Sequence, residues 1–333
     1  PSICLGAFRR EGRTGHRRRG PALVIAFIFP GQGSQRIGMG KALAGAFPLS
    51  RATFDEADAA LGESLSSLIF EGPEDQLTLT ENTQPAILAV STAACRLLTS
   101  RGIEPAFVAG HSLGEYSANV AAGTFEFADA LRIVRRRGRY MQEAVPVGTG
   151  AMAAILGLDA EKVAQACREA ADGEIVSPAN LNGVEQVVIA GGRDAVARAG
   201  ERAKAFGARR VVLLPVSAPF HCALMKPAEE RLAPELRALA TRTPRMPIVA
   251  NVDAEPKRDA AAAIEALVQQ VSSPVRWDAV VARLASEGVT TYVEVGPGTV
   301  LSGLVRKIHR GATVVNFGGP DDLADVEGAI ARS

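Results

Sequence analysis

Ser112 lies in Gly110-His111-Ser112-Leu113-Gly114, a G-x-S-x-G run preceded by the apolar Phe107-Val108-Ala109 and followed by a helix-compatible stretch. In that setting a serine sits on a sharp strand-to-helix turn and projects its hydroxyl. Gly110 and Gly114 give the turn backbone freedom and keep side-chain bulk away from it. Backbone N–H groups at the helix start would face the oxyanion formed when Ser112 attacks an acyl carbon. Such a serine needs a base. The chain has 4 histidines. His16 lies in an arginine-rich leader and reads as solvated. His111 adjoins Ser112 and, near a strand end, should point elsewhere. His309 sits in the charged, exposed-looking stretch Lys307–Arg310. His221, in the proline-punctuated loop Pro215–Cys222, is the candidate base by elimination.

A third group comes from a helix expected over 126–143, which carries Arg132, Arg135, Arg136, Arg137 and Arg139. At about 100° per residue, Arg135, Arg136 and Arg139 fall within about 60° of Arg132. They form one basic stripe, most simply a solvated face, with attraction of an acidic partner as the sharper reading. Arg137 falls about 140° away. An arginine on the inward face is costly to bury unpaired, so it needs an anionic partner, from the protein or from a ligand.

These groups need a scaffold. Ala22–Phe29 is a continuous apolar run suited to a buried parallel strand. It ends in Pro30-Gly31-Gln32-Gly33-Ser34-Gln35, which lacks the G-K-[ST] of a phosphate loop and the G-x-G-x-x-G of a dinucleotide loop. Helices are expected at about 38–46 and 50–61. Another is opened by Thr83-Gln84-Pro85, with Pro85 in its first turn. After the strand 107–109 and the arginine helix, the pattern changes. Strands 151–156, 174–178, 186–190 and 210–214 alternate with helices 159–171 and 194–206, a loop through Asn180 and Asn182-Gly183 joining the second and third strands. That order, βαββαβ, is ferredoxin-like. Helix 223–240, strand 248–251, helix 259–272, a helix from Trp277, strand 291–295 and helix 299–308 complete the chain.

The expected class is α/β: a hydrolase-like, mainly parallel sheet covered by helices, with the ferredoxin-like unit inserted. The expected division is a disordered leader at 1–21, a large catalytic domain from 22–147 and 217–333, and a small domain at 148–216. The site should lie at the carboxyl ends of the strands, where Gln32, Ser112 and Gly296–Gly298 fall. For the leader, a transit peptide is the other reading.

Composition narrows the classes. The 333 residues are 47% hydrophobic with a net charge of +1, which gives no reason to invoke nucleic acid or an anionic membrane. No apolar run is long enough to span a bilayer. Cys4, Cys95, Cys167 and Cys222 are scattered, fitting neither a disulfide framework nor a zinc site; reduced thiols in the cytoplasm fit better.

Six segments, GQGSQ (31–35), TQPA (83–86), GHSLGEYSA (110–118), RGRYMQEA (137–144), PFHCALM (219–225) and EVGPG (294–298), closely resemble malonyl-CoA:acyl carrier protein transacylases in order and spacing. The resemblance spans residues 24–332. It implies an acyltransferase that moves malonyl from malonyl-CoA to the phosphopantetheine thiol of acyl carrier protein in fatty acid biosynthesis, by a ping-pong route through malonyl-Ser112. It implies His221 as base and the main-chain carbonyl of Gln270 as the group that orients it. It further implies the N–H groups of Gln32 and Leu113 as oxyanion hole, Arg137 as clamp on the malonyl carboxylate, and Met141 and Phe220 as substrate neighbours. Phe220 is the type malonyl-selective members tend to carry. No cofactor or metal is expected, and a cytoplasmic monomer is. Three alternatives stand beside this reading. One is a free-standing polyketide acyltransferase. Another is a serine esterase, which would need an acid between Ser112 and His221 in sequence. The last is a non-catalytic carrier-binding module.

Overall fold

In a computed structural model that describes residues 23–216 and 218–331, the apolar runs form two sheets. The readings of residues 1–21 as a leader and of Cys4 fall outside the described residues.

Strand β1 (Ile25–Phe29) is buried along its whole length. Helices α1 (Lys41–Ala46), α2 (Pro48–Leu61), α3 (Leu65–Glu71), α4 (Glu74–Thr78) and α5 (Thr80–Ser100) precede β2 (Phe107–Gly110). Helices α6 (Gly114–Ala122) and α7 (Phe127–Glu143) lead to β3 (Gly150–Leu156), α8 (Ala160–Ala170), β4 (Val176–Leu181), β5 (Gln186–Gly192), α9 (Arg193–Ala205) and β6 (Arg210–Leu213). Next come α10 (Lys226–Arg237), β7 (Ile248–Val249), β8 (Pro256–Lys257), α11 (Ala260–Gln270) and α12 (Trp277–Ser286). The last elements are β9 (Thr291–Val295), α13 (Val300–Ile308), β10 (Thr313–Phe317) and α14 (Leu323–Ala331). Asp159 and Asp259 cap α8 and α11 through their side chains, as short acceptors at an N-terminus do.

The main sheet has the order β10-β9-β1-β2-β7-β8, parallel except at the β8 edge. Strands buried on both faces explain the unbroken apolar run of β1. Phe29 pairs with Gly110, so the loop carrying Gln32 and the turn carrying Ser112 emerge side by side. The second sheet is antiparallel in the order β4-β5-β3-β6. Renumbered within the unit this is 2-3-1-4, the ferredoxin-like arrangement. It touches the main body at Leu181, whose N–H donates to the Val275 carbonyl at 2.8 Å.

Helices α5 and α7 share one apolar cluster that extends to Met141 and Phe220. Each large aliphatic side chain in it, such as Leu88 or Leu131, contributes about 1.5–3 kcal/mol through burial. The two helices touch at Gly138, where a Cβ would lie 2.7 Å from the Glu81 Cα and the Thr80 carbonyl oxygen. That contact seats the neighbouring Arg137 against α5.

Several boundaries differ from expectation. Pro85 lies inside α5 rather than in its first turn, because the helix already starts at Thr80. Burial of sixteen residues of this helix outweighs the loss of one backbone donor. Strand β4 runs to Leu181, so Asn180 belongs to the strand and only Asn182-Gly183 to the turn. The expected helix 223–240 is a short 3₁₀ turn followed by α10.

Candidate active site

The elbow is built by close approach. Ser112 has φ +52°, a left-handed conformation that costs a non-glycine residue about 1–3 kcal/mol. The positive φ therefore falls on the serine, and not on Gly110 or Gly114 as the sequence suggested. Those glycines provide room: a Cβ at Gly110 would lie 1.9 Å from the Gly114 carbonyl carbon. The Ser112 N–H donates to Oδ1 of Asn251, just beyond β7, at 2.7 Å. Asn251 Nδ2 donates to the Gly110 carbonyl at 2.7 Å, fixing the turn from its other side.

Two side chains converge on the Ser112 hydroxyl oxygen. Ser112 Oγ lies 2.7 Å from His221 Nε2. Nη2 of Arg137 donates to the same Oγ at 3.2 Å. His221 also has a positive φ, +59°, so serine and histidine are both held in strained backbone. Its Nδ1 lies 2.9 Å from the backbone carbonyl of Gln270 at the end of α11. Burial foremost, and the Arg137 charge second, push the His221 pKa down to about 3. The imidazole is thus neutral at pH 7 and able to accept the serine proton.

Arg137 is only 2% exposed. Its Nη1 donates to Gln84 Oε1 and its Nη2 to Gln270 Oε1, both at 2.9 Å. Its guanidinium carbon lies 5.3 Å from the centre of the Tyr116 ring. It forms no ion pair among the described residues, and its Nε has no hydrogen-bond partner. A buried cation held by two neutral amides beside the nucleophile remains complementary to an anionic ligand. The basic stripe behaves differently. Arg132 pairs with Asp129, Arg135 with Glu63, Arg136 with Glu235 and Arg139 with Glu81, so it is not an uncompensated patch.

The site opens into a cleft of about 1040 Å³, lined among others by Gln32, Leu113, Met141, Val147 and Phe220. Among the described residues, the backbone N–H groups of Gln32 and Leu113 have no protein acceptor. Met141 and Phe220 are buried in the cleft wall, and Met141 Sδ lies 3.9 Å from Gln84 Nε2. His111 also lines the cleft, but its side chain points away from the Ser112 hydroxyl, as expected. Its Nε2 lies 2.9 Å from Asn182 Oδ1, not against Ser112. His309 is remote, with Nδ1 3.1 Å from the Tyr292 hydroxyl.

Sequence reasoning gave no role to Gln84, Glu115 or Asn251. The signal for Asn251 was a polar residue closing the apolar run Ile248-Val249-Ala250. For Glu115 it was an acid in a turn of otherwise small and apolar residues.

The family described as "Acyl transferase domain" matches residues 26–317. The chain belongs to this family. Within it, the chain is 51% identical over 301 residues to the malonyl CoA-acyl carrier protein transacylase of Escherichia coli (strain K12), covering 90% of this chain and 97% of that protein. Identity to the transacylase of Bacillus subtilis (strain 168) is 50%, over 90% and 95% of the two chains. Among solved structures, an acyl carrier protein S-malonyltransferase from Vibrio cholerae matches with TM-score 0.89 and 48% identity, over 91% of this chain and 99% of that one. Another match is described as a type II PKS acyl-carrier protein in complex with its malonyl-transacylase. It has TM-score 0.90 and 47% identity, over 93% and 100% of the chains. Among the described residues, no helix is long and apolar enough to cross a membrane.

Proposed function

We propose that this chain transfers malonyl from malonyl-CoA to the phosphopantetheine thiol of acyl carrier protein in fatty acid biosynthesis. The single observation that carries the reading is Ser112 Oγ lying between a neutral imidazole and a buried, carboxylate-free guanidinium. Ser112 attacks the thioester carbonyl while His221 Nε2 takes its proton. Gln32 and Leu113 donate to the oxyanion, each donor being worth about 3–4 kcal/mol in such chemistry. Collapse breaks the C–S bond, and the departing thiolate takes the proton from His221. The carrier thiol then reverses these steps on malonyl-Ser112. Thioester to ester to thioester is nearly thermoneutral, so two similar tetrahedral intermediates are the species to stabilise. Arg137 pairs with the malonyl carboxylate, and acetyl would leave that cation unpaired. Met141 and Phe220 wall the acyl pocket. The large domain, read over 22–147 and 217–333, supplies the nucleophile and base, and the small domain, read over 148–216, closes one side of the cleft. No cofactor takes part.

A second reading, favoured by the relative solved in complex with a type II PKS acyl-carrier protein, is the same reaction on a polyketide carrier. The test is incubation with radiolabelled malonyl-CoA, peptide mapping of the label, and chase with fatty-acid and polyketide carrier proteins. Label on Ser112 that moves to the fatty-acid carrier supports the proposal. Label elsewhere, or none, refutes it.

A further inference from the structure

The mechanism above makes no use of Glu115, although it is the carboxylate beneath the nucleophile. It lies in the first turn of α6 and is 1% exposed. Its Oε2 accepts from Gln270 Nε2 at 2.8 Å and from the Asn251 N–H at 3.0 Å. Oε2 accepts both bonds whether the carboxyl is ionised or carries a proton on Oε1, so it selects which end of the Gln270 amide faces it. The second proton of that NH₂ goes to the Ser112 carbonyl, 2.9 Å away. With the nitrogen end fixed, Oε1 must face the other way, where it accepts from Arg137 Nη2. Gln270 thus serves two groups: its backbone carbonyl holds His221 and its side chain holds Arg137.

We infer that Glu115 is a positioning residue for acyl selectivity: by locking the Gln270 amide it aims Arg137 at the acid tail of the acyl group. The inference rests on the proposed function. Remove the acceptor, and the amide loses the partner that keeps its oxygen turned to the guanidinium. Arg137 then keeps its charge but loses one of the two amide oxygens that fix its plane, and a two-pronged carboxylate contact depends on that plane.

The readout is the ratio of kcat/KM for malonyl-CoA to that for acetyl-CoA in labelling Ser112 of the full chain. Glu115→Met, which removes the acceptor, is expected to lower the ratio at least tenfold. Gln270→Ala, which removes the amide but not the carbonyl, is expected to do the same. The double variant should fall no further than Gln270→Ala alone, because both changes cut one chain of contacts. Glu115→Gln, which retains an acceptor oxygen, should keep the ratio within threefold of wild type. An unchanged ratio in Glu115→Met, or multiplying losses in the double variant, overturns the inference. Should Glu115→Met fail to fold, the remaining variants decide. An unchanged ratio in Gln270→Ala, or a Glu115→Gln ratio as low as that of Gln270→Ala, overturns it equally. A wild-type chain with no preference for malonyl-CoA overturns the functional reading and this inference together. A selective wild type with unresponsive variants overturns this inference alone.

Discussion

Nδ1 of His221 lies 2.9 Å from the backbone carbonyl oxygen of Gln270. A carbonyl can only accept, so Nδ1 carries the proton and Nε2 presents its lone pair to Ser112. A main-chain oxygen thereby does what a carboxylate does in a Ser-His-Asp triad, which fixes the tautomer. Main-chain hydrogen bonds, the Gln270 carbonyl foremost, offset burial and the Arg137 charge only in part, and the His221 pKa sits at about 3.

The first prediction concerns pH. Free-enzyme kcat/KM for Ser112 acylation should show no His221 protonation step between pH 8 and pH 5. A stopped-flow burst titration with malonyl-CoA measures this. A step centred near the ordinary imidazole value of about 6.5 would place His221 in solvent and defeat the assignment. The linkage has a matching sign. A histidine depressed in the fold contributes stability above its unfolded pKa and loses it as pH falls through the window toward 3.

The second prediction concerns Arg137. Arg137→Ala should lower kcat/KM for malonyl-CoA by about 30- to 1000-fold, the scale of losing one partner of a buried charge pair, about 2–4 kcal/mol. Acetyl transfer should stay level or improve. Arg137→Lys should recover little, since an ammonium cannot reproduce the fork held by Gln84 and Gln270. The same alanine change should raise the His221 pKa, because the Arg137 charge is the second cause of its depression. NMR titration of the imidazole reads that shift. Equal losses on malonyl and acetyl would make Arg137 a structural residue.

Much of the site was legible because it uses rare types in distinctive places. Ser112 sits between two glycines after an apolar run, His221 is the histidine left after elimination, and Arg137 breaks the angular pattern of its helix. The polar frame beneath them was not legible. Gln84, Glu115, Asn251 and the Gln270 side chain come from α5, α6, the segment after β7 and α11, and only folding brings their polar ends together. Spacing along the chain carries no information about such pairs. The basic stripe read as a solvated face, but its pairing did not, since the carboxylate partners Glu63, Glu81 and Glu235 are remote in sequence. Among the elements, β1 and β9 were plain as wholly buried runs, whereas β10 was missed. It is an edge strand whose first four residues are only partly buried or exposed, which blurs any alternation.

The third prediction uses Glu115 as a stability probe. Burial above all raises its carboxyl from 4.5 to about 7. The native state therefore holds a proton that the unfolded chain has released between those values. Native stability should fall as pH climbs through that window, by up to roughly 3 kcal/mol at about 1.4 kcal/mol per pKa unit. Glu115→Gln has no such proton. Its stability relative to wild type, from urea unfolding at pH 4.5 and pH 8, should be more favourable at pH 8. A difference that stays constant across the two pH values would mean that the fold leaves the Glu115 carboxyl at its ordinary value.

The last prediction isolates the strain at the nucleophile. Ser112→Ala and Ser112→Gly both delete the hydroxyl and with it the contacts to His221 and Arg137. In the fold they differ mainly in how they tolerate φ +52°. Alanine keeps the left-handed penalty of about 1–2 kcal/mol, which glycine does not feel. Glycine in turn gives the unfolded chain extra freedom worth about 0.5–1 kcal/mol. The glycine variant should therefore be the more stable of the two by up to roughly 1 kcal/mol in denaturant unfolding. An alanine variant at least as stable as the glycine variant would show that the elbow is relaxed. The geometry of Ser112 would then follow from the Asn251 contacts alone, without stored strain.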